Sequence, residues 1–171
     1  NQNLDLYITQ FLTVGFDGVM NTVDAVGGVD IDIQQNEIKF LNDYQASMYS
    51  TETNTVITDD YVPITTTGLQ TLSGYQALAY CRIRYTAGSD FKRTERQRKV
   101  ISAIIDKVTK TDIFTLIGIC KKVLPNVSTD ISTPELLGLA VNAALRYLWY
   151  DITQQQIPAD GEWADRRVGS P

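Results

Sequence analysis

The residues best suited to chemistry lie in one window, 82–99, where Arg82, Arg84, Lys92, Arg93, Arg96, Arg98 and Lys99 face only Asp90 and Glu95. The local balance of +5 sits on a chain of net charge −5, which leaves −10 for the remainder. A basic island on an acidic protein is directed at an anion, because a merely solvated surface mixes its signs. Arginine dominates the window, which favours planar, bidentate recognition of phosphate or carboxylate oxygens. The chain has no histidine, and with it go the usual general base, the commonest metal ligand and every Ser-His or Cys-His nucleophile arrangement. Chemistry here runs on carboxylates, arginines, a bound metal or a group from outside the chain.

Those side chains need elements to carry them. On extended backbone Arg82 and Arg84 share one face, since successive strand residues alternate. Gly88-Ser89-Asp90 reads as a turn into a helix with Ser89 or Asp90 as N-cap. On that helix Arg93, Arg96 and Gln97 share a face at i, i+3, i+4, and Ile101, Ile104, Ile105 and Val108 form an apolar stripe further along. Arginines before the helix and on its first turns would then converge on one doubly charged group, aided by the helix's positive end, with Asp90 holding an arginine in place. The competing account is a solvated helix face with local ion pairs, such as Glu95 with Arg98 or Lys99.

The 171 residues, 43% hydrophobic and 20% charged, suit one globular domain with a substantial core. Cys81 and Cys120 form no CxxC, which excludes a zinc or redox motif; two free buried thiols are expected, with a disulfide between them as the alternative. No stretch reaches the roughly 20 apolar residues a bilayer needs.

Residues 4–14 suggest a strand and 16–25 a helix closed by Gly27-Gly28. Val29-Asp30-Ile31-Asp32-Ile33 alternates strictly, a strand whose acidic face suits a soluble sheet edge better than a metal site. A helix is expected over 36–49, a loop with one short strand over 50–67, and a short helix over 69–80. The arginine helix runs to about residue 110. Asp112 or Thr111 caps a helix over 113–123 that Pro125 ends, and Thr133-Pro134-Glu135 starts another, to about residue 150. A last strand over 152–157 and a turn-rich end with Arg166-Arg167 follow. The helices at 113–124 and 135–150 are apolar nearly all round, which suits plain core or the wall of a cavity for a long apolar ligand.

Three blocks carry a family likeness: Val23-Asp24-Ala25-Val26-Gly27-Gly28-Val29-Asp30; Gly68, Gln70, Leu72, Gly74, Ala77-Leu78-Ala79-Tyr80, Arg82 and Arg84; and Ser89-Asp90-Phe91, Arg93 and Arg96-Gln97. In order and spacing they resemble the LytR-CpsA-Psr family, the last block most specifically. The likeness covers about residues 4–110 and is general pattern beyond, down to Ala159-Asp160-Gly161. It implies an α/β fold, a central mixed sheet flanked by helices, as a single domain over 1–171. It implies action at the extracellular face of the bacterial plasma membrane behind an N-terminal anchor.

The resemblance also implies a phosphotransferase that moves an anionic glycopolymer, such as teichoic acid or capsule, from a polyprenyl pyrophosphate carrier to peptidoglycan. Carried over residue by residue, Arg82, Arg84, Arg93 and Gln97 would hold the pyrophosphate, Arg96 would assist, and Asp90 would orient the arginines. Arg82, Arg84 and Asp90 form the implied catalytic set. Magnesium would neutralise the pyrophosphate, and the prenyl chain would lie in an apolar tunnel. The family's magnesium-binding aspartates are expected upstream of Asn1 and a final strand after Gly169, so the likeness implies a piece of a longer protein, inactive alone and prone to self-association through exposed strand edges. The rival readings are a nucleic-acid-binding transcriptional regulator, disfavoured by a sequence pI near 4.7, and a non-catalytic extracellular binding domain.

Overall fold

The computed structural model describes residues 7–48, 60–84 and 89–147. In chain order the elements are β1 (Leu12–Val14), α1 (Phe16–Ala25), β2 (Val29–Ile33), α2 (Gln35–Ala46), β3 (Gly68–Leu72), α3 (Gly74–Arg82), α4 (Ser89–Thr109), α5 (Ile113–Val123), β4 (Val127–Thr129) and α6 (Thr133–Tyr147). The α/β class holds. The described strands pair antiparallel in two separate ladders, β1 with β4 and β2 with β3, rather than in one mixed sheet.

Strict alternation in β2 becomes strict alternation of burial. Val29, Ile31 and Ile33 face the core with Leu41, Leu72, Tyr80, Ile83 and Val100. Asp30 and Asp32 face outward, and Asp30 pairs with Lys107 of α4 at 2.8 Å and accepts from Thr71 at 2.5 Å. These contacts hold its carboxyl below the usual range, the Lys107 bond most of all. Gly27 and Gly28 take φ of 81° and 88°, and a side chain at Gly28 would meet the Leu72 carbonyl at 2.9 Å.

Of the expected strand over 4–14, residues 4–6 lie outside the described residues, and among 7–14 only the exposed Leu12–Val14 is strand. The expected helix over 69–80 divides: Gly68–Leu72 joins β2 as β3, and the helix begins at Gly74. Ser73 supplies the division as N-cap, accepting from the Gln76 N–H while Gln76 accepts from the Ser73 N–H. Asp112 caps α5 as expected, accepting from the Phe114 and Thr115 N–H groups. The last expected strand and Arg166-Arg167 lie outside the described residues, as do 50–59 of the expected loop. Among the described residues no helix is long and apolar enough to cross a membrane.

Candidate functional site

Helix α3 delivers the first two arginines. It is buried from Gly74 to Tyr80, and its start is pinned to α1, where Asp24 accepts from the Gly74 N–H at 2.7 Å. Arg82 is its last residue, so the strand alternation expected for Arg82 and Arg84 does not apply. They flank Ile83 instead, whose backbone turns extended (φ −58°, ψ 121°) and whose side chain is fully buried. The Arg82 guanidinium lies 5.3 Å from the Phe16 ring centre and 5.7 Å from that of Tyr44, within cation–π range. Arg84 is exposed. Among the described residues neither arginine has a carboxylate partner.

Helix α4 brings the second group. Arg96 is only 4% exposed. Its Nε donates to Glu37 Oε1 at 2.8 Å and its Nη1 to the Ile83 carbonyl at 3.2 Å. The guanidinium sits 5.9 Å from the Tyr80 ring centre. Arg96 therefore reaches the backbone between Arg82 and Arg84, with its own donors engaged by protein. Arg93, one turn earlier, is half-buried, and Gln97 is exposed. The helix begins at Ser89, so Ser89 and Asp90 fall inside it; the side chain of Asp90, expected to orient the arginines, lies outside what the structure describes.

The outer face of α4 carries the local pairs of the competing account, with the expected Lys99 on Glu95 and Lys92 in addition. Glu95 meets Lys92 at 2.7 Å and Lys99 at 3.1 Å. Bonds from Lys92 and then Lys99 hold its carboxyl at about 2, below the ordinary 4.5. A depressed acid stabilises above its ordinary value and loses that contribution as pH falls toward the folded one. An NMR titration should place the Glu95 midpoint near 2, and Lys92→Ala should raise it toward 4.5. A wild-type midpoint at 4.5 would show the lysines to be loosely held.

Sequence reasoning missed Glu37. It is buried, and its second oxygen accepts from the Gln34 N–H at 3.1 Å, closing the capping box of α2. The only local signal was an acid in a helix's first turn, which usually faces water. Tyr80 belongs to the core, yet its hydroxyl is buried with no hydrogen-bond partner among the described residues. Desolvation first, then the nearby Glu37 charge, push that hydroxyl's pKa up.

Two of the cavities among the described residues bear on the site. One, of about 500 Å³, is apolar and opens between β1, α4, α5 and α6, with Ile104, Ile105 and Val108 facing Leu116, Cys120 and Leu136. The stripe expected on α4 thus lines it, except Ile101, which is 56% exposed. Both cysteines are free, and burial pushes the Cys81 thiol up to about 12. The other, of about 630 Å³, has mixed charge, with Asp30, Asp32 and Asp106 against Lys99, Lys107 and Lys110. Among the described residues no three acids or thiols gather where a cation would sit, so these side chains do not fit a magnesium site.

Among the described residues of this α/β fold, two arginines without carboxylate partners stand beside a buried third. The chain belongs to the LytR_cpsA_psr family, whose model matches residues 1–168. It is 30% identical over 139 residues to the polyisoprenyl-teichoic acid–peptidoglycan teichoic acid transferase TagV of Bacillus subtilis (strain 168), covering 80% of this chain and 32% of that protein. To the transferase TagU of Enterococcus faecalis (strain ATCC 700802 / V583) it is 29% identical over 164 residues, covering 95% and 46%. The crystal structure of B. subtilis TagV superposes with a TM-score of 0.59 at 27% identity, over 85% of this chain and 50% of that one. A structure of TagT bound to LIIa-WTA gives 0.60 at 25%, over 82% and 47%. The chain thus spans about a third to a half of the length of these relatives.

Proposed function

We propose that this chain is the part of a cell-wall glycopolymer phosphotransferase that grips a polyisoprenyl-linked diphosphate. The observation that carries the reading is the pair Arg82 and Arg84, which lack a carboxylate partner among the described residues of a chain with net charge −5. Guanidiniums so placed in an acidic protein are available to an external anion, and their planar fork suits phosphate oxygens. The apolar cavity between α4, α5 and α6 supports an isoprenoid chain as the rest of the ligand. The names of TagV and TagU support a teichoic acid as the polymer and peptidoglycan as acceptor.

In this reading Arg82, Arg84, Arg93 and Gln97 hold the diphosphate, and Arg96 acts through the Ile83 carbonyl. A peptidoglycan hydroxyl attacks the phosphorus bearing the glycopolymer, the bond to the prenyl phosphate breaks, and the prenyl monophosphate leaves with the displaced electron pair while the hydroxyl proton passes to it or to water. Displacement of this kind needs mainly alignment and charge neutralisation, which arginines supply without a histidine. Asp90 as orienting acid, action outside the membrane and an anchoring segment belong to the same proposal. Magnesium belongs to it too, with ligands outside the described residues, and no step is derived through it.

Calorimetric titration with geranyl diphosphate tests the site. Arg82→Ala should weaken binding by about 1.5–3 kcal/mol, the loss expected when a charge-assisted bond is removed. Equal affinity in the variant would remove the site and leave the family membership standing. Tight, steeply salt-dependent binding of duplex DNA would favour a regulator instead.

A further inference from the structure

We infer that the buried Glu37–Arg96 pair positions the site, gripping the Ile83 carbonyl so as to fix the backbone from which Arg82 and Arg84 project. The inference rests on the diphosphate reading above and names how that site is held. A buried ion pair is a poor stabiliser, since desolvation offsets most of its attraction, so its placement points to a geometric role. Arg96 donates from Nε to a carboxylate and from Nη1 to a main-chain oxygen. Glu37 is held at both oxygens, by Arg96 and by the Gln34 N–H, so the pair has little freedom to swing. Ile83 is thereby fixed twice, by its fully buried side chain and by its carbonyl.

Tyr80 fits the same device. Its ring lies against Arg96, and its hydroxyl stays unbonded among the described residues, a cost that a purely apolar residue would avoid. With Glu37 neutralised by Arg96, the nearest buried acid does not compete with an external anion for Arg82. A first shell of donors held by a rigid second layer is how bidentate sites reach their precision.

The test replaces the pair with neutral groups of similar size, Glu37→Gln with Arg96→Met, in the 171-residue chain. Such exchanges tend to leave stability intact, and the introduced amide keeps an acceptor for the α2 cap. Binding of inorganic pyrophosphate is measured beside melting temperature. The expected result is a melting temperature within about 4 °C of wild type and an affinity at least about tenfold weaker. In an Arg84→Ala background the same exchange should cost clearly less, because there is less left to position. The Arg82 Nε–H NMR signal should broaden or shift toward the value of a free side chain. A folded double variant with wild-type affinity overturns the inference, as does an equal loss in both backgrounds. Should the double variant not fold, Arg96→Lys serves: one ammonium replaces the planar fork whose Nε and Nη1 hold Glu37 and Ile83 from separate atoms, so affinity should fall and wild-type affinity there overturns the inference as well. Failure of the unmodified chain to bind pyrophosphate would instead strike the diphosphate reading, and the inference with it.

Discussion

Replacing Glu37 alone with alanine is expected to destabilise the fold by about 3–5 kcal/mol, the cost of leaving one partner of a buried ion pair behind. Arg96, 4% exposed, would keep its charge beneath α2 without the carboxylate that now faces its Nε, although the Ile83 carbonyl and the Tyr80 ring remain beside it. The arginine does not shed its proton under any ordinary condition, so the strain has no chemical escape. The variant also loses the acceptor that closes the α2 capping box. Urea unfolding followed by circular dichroism measures the change, with the slope expected to stay near wild type. A loss below about 1 kcal/mol would mean that Arg96 turns out to water at little cost, and its grip on Ile83 would then be weak.

Gly74→Ala should fall at or above the top of the roughly 1–3 kcal/mol that overpacking costs. A β-carbon there would stand 2.2 Å from the Met20 carbonyl and 2.7 Å from Asp24 Oδ2. The obstacle is main chain of α1, which cannot rotate aside as a side chain can, so α1 and α3 must separate. Separation also strains the bond from the Gly74 N–H to Asp24 and moves the helix that ends in Arg82. The control is Gly118→Ala in α5, where a β-carbon meets nothing within 4 Å and a gain of about 0.5–1 kcal/mol in helix preference is expected. Equal stability for the two variants would show that the close approach of α1 and α3 relaxes easily.

The contrast explains why some of the fold was legible in the sequence. Helix α1, strand β2 and the Asp112 cap depend on near neighbours, and their periods and caps read directly. Strand β3 reads as helix in the sequence because Leu69 and Leu72 stand three apart, which mimics a helical face. What makes it a strand is a ladder to β2, some 40 residues away, as Thr71 opposite Asp30 shows. The site divides the same way. The basic charge of residues 82–99 was readable in the sequence, whereas the burial of Arg96 against Glu37 was not, because that partner lies 59 residues upstream. Several family-motif residues prove architectural: Asp24 anchors α3, Gly28 and Gly74 permit close packing, and Tyr80 lines the buried pair.

The long separation between Glu37 and Arg96 has a bearing on biosynthesis. A ribosome adding 5–20 residues per second takes roughly 3–12 s to travel from one codon to the other. Throughout that interval the glutamate of the emerging polypeptide has no counter-ion, and sealing it away from water is unfavourable. Helix α2 therefore cannot dock in its final place until α4 has been made. The corner where α2, α3 and α4 meet at Glu37, Ile83 and Arg96 should accordingly snap together late, in a single cooperative step, instead of growing piecemeal behind the exit tunnel.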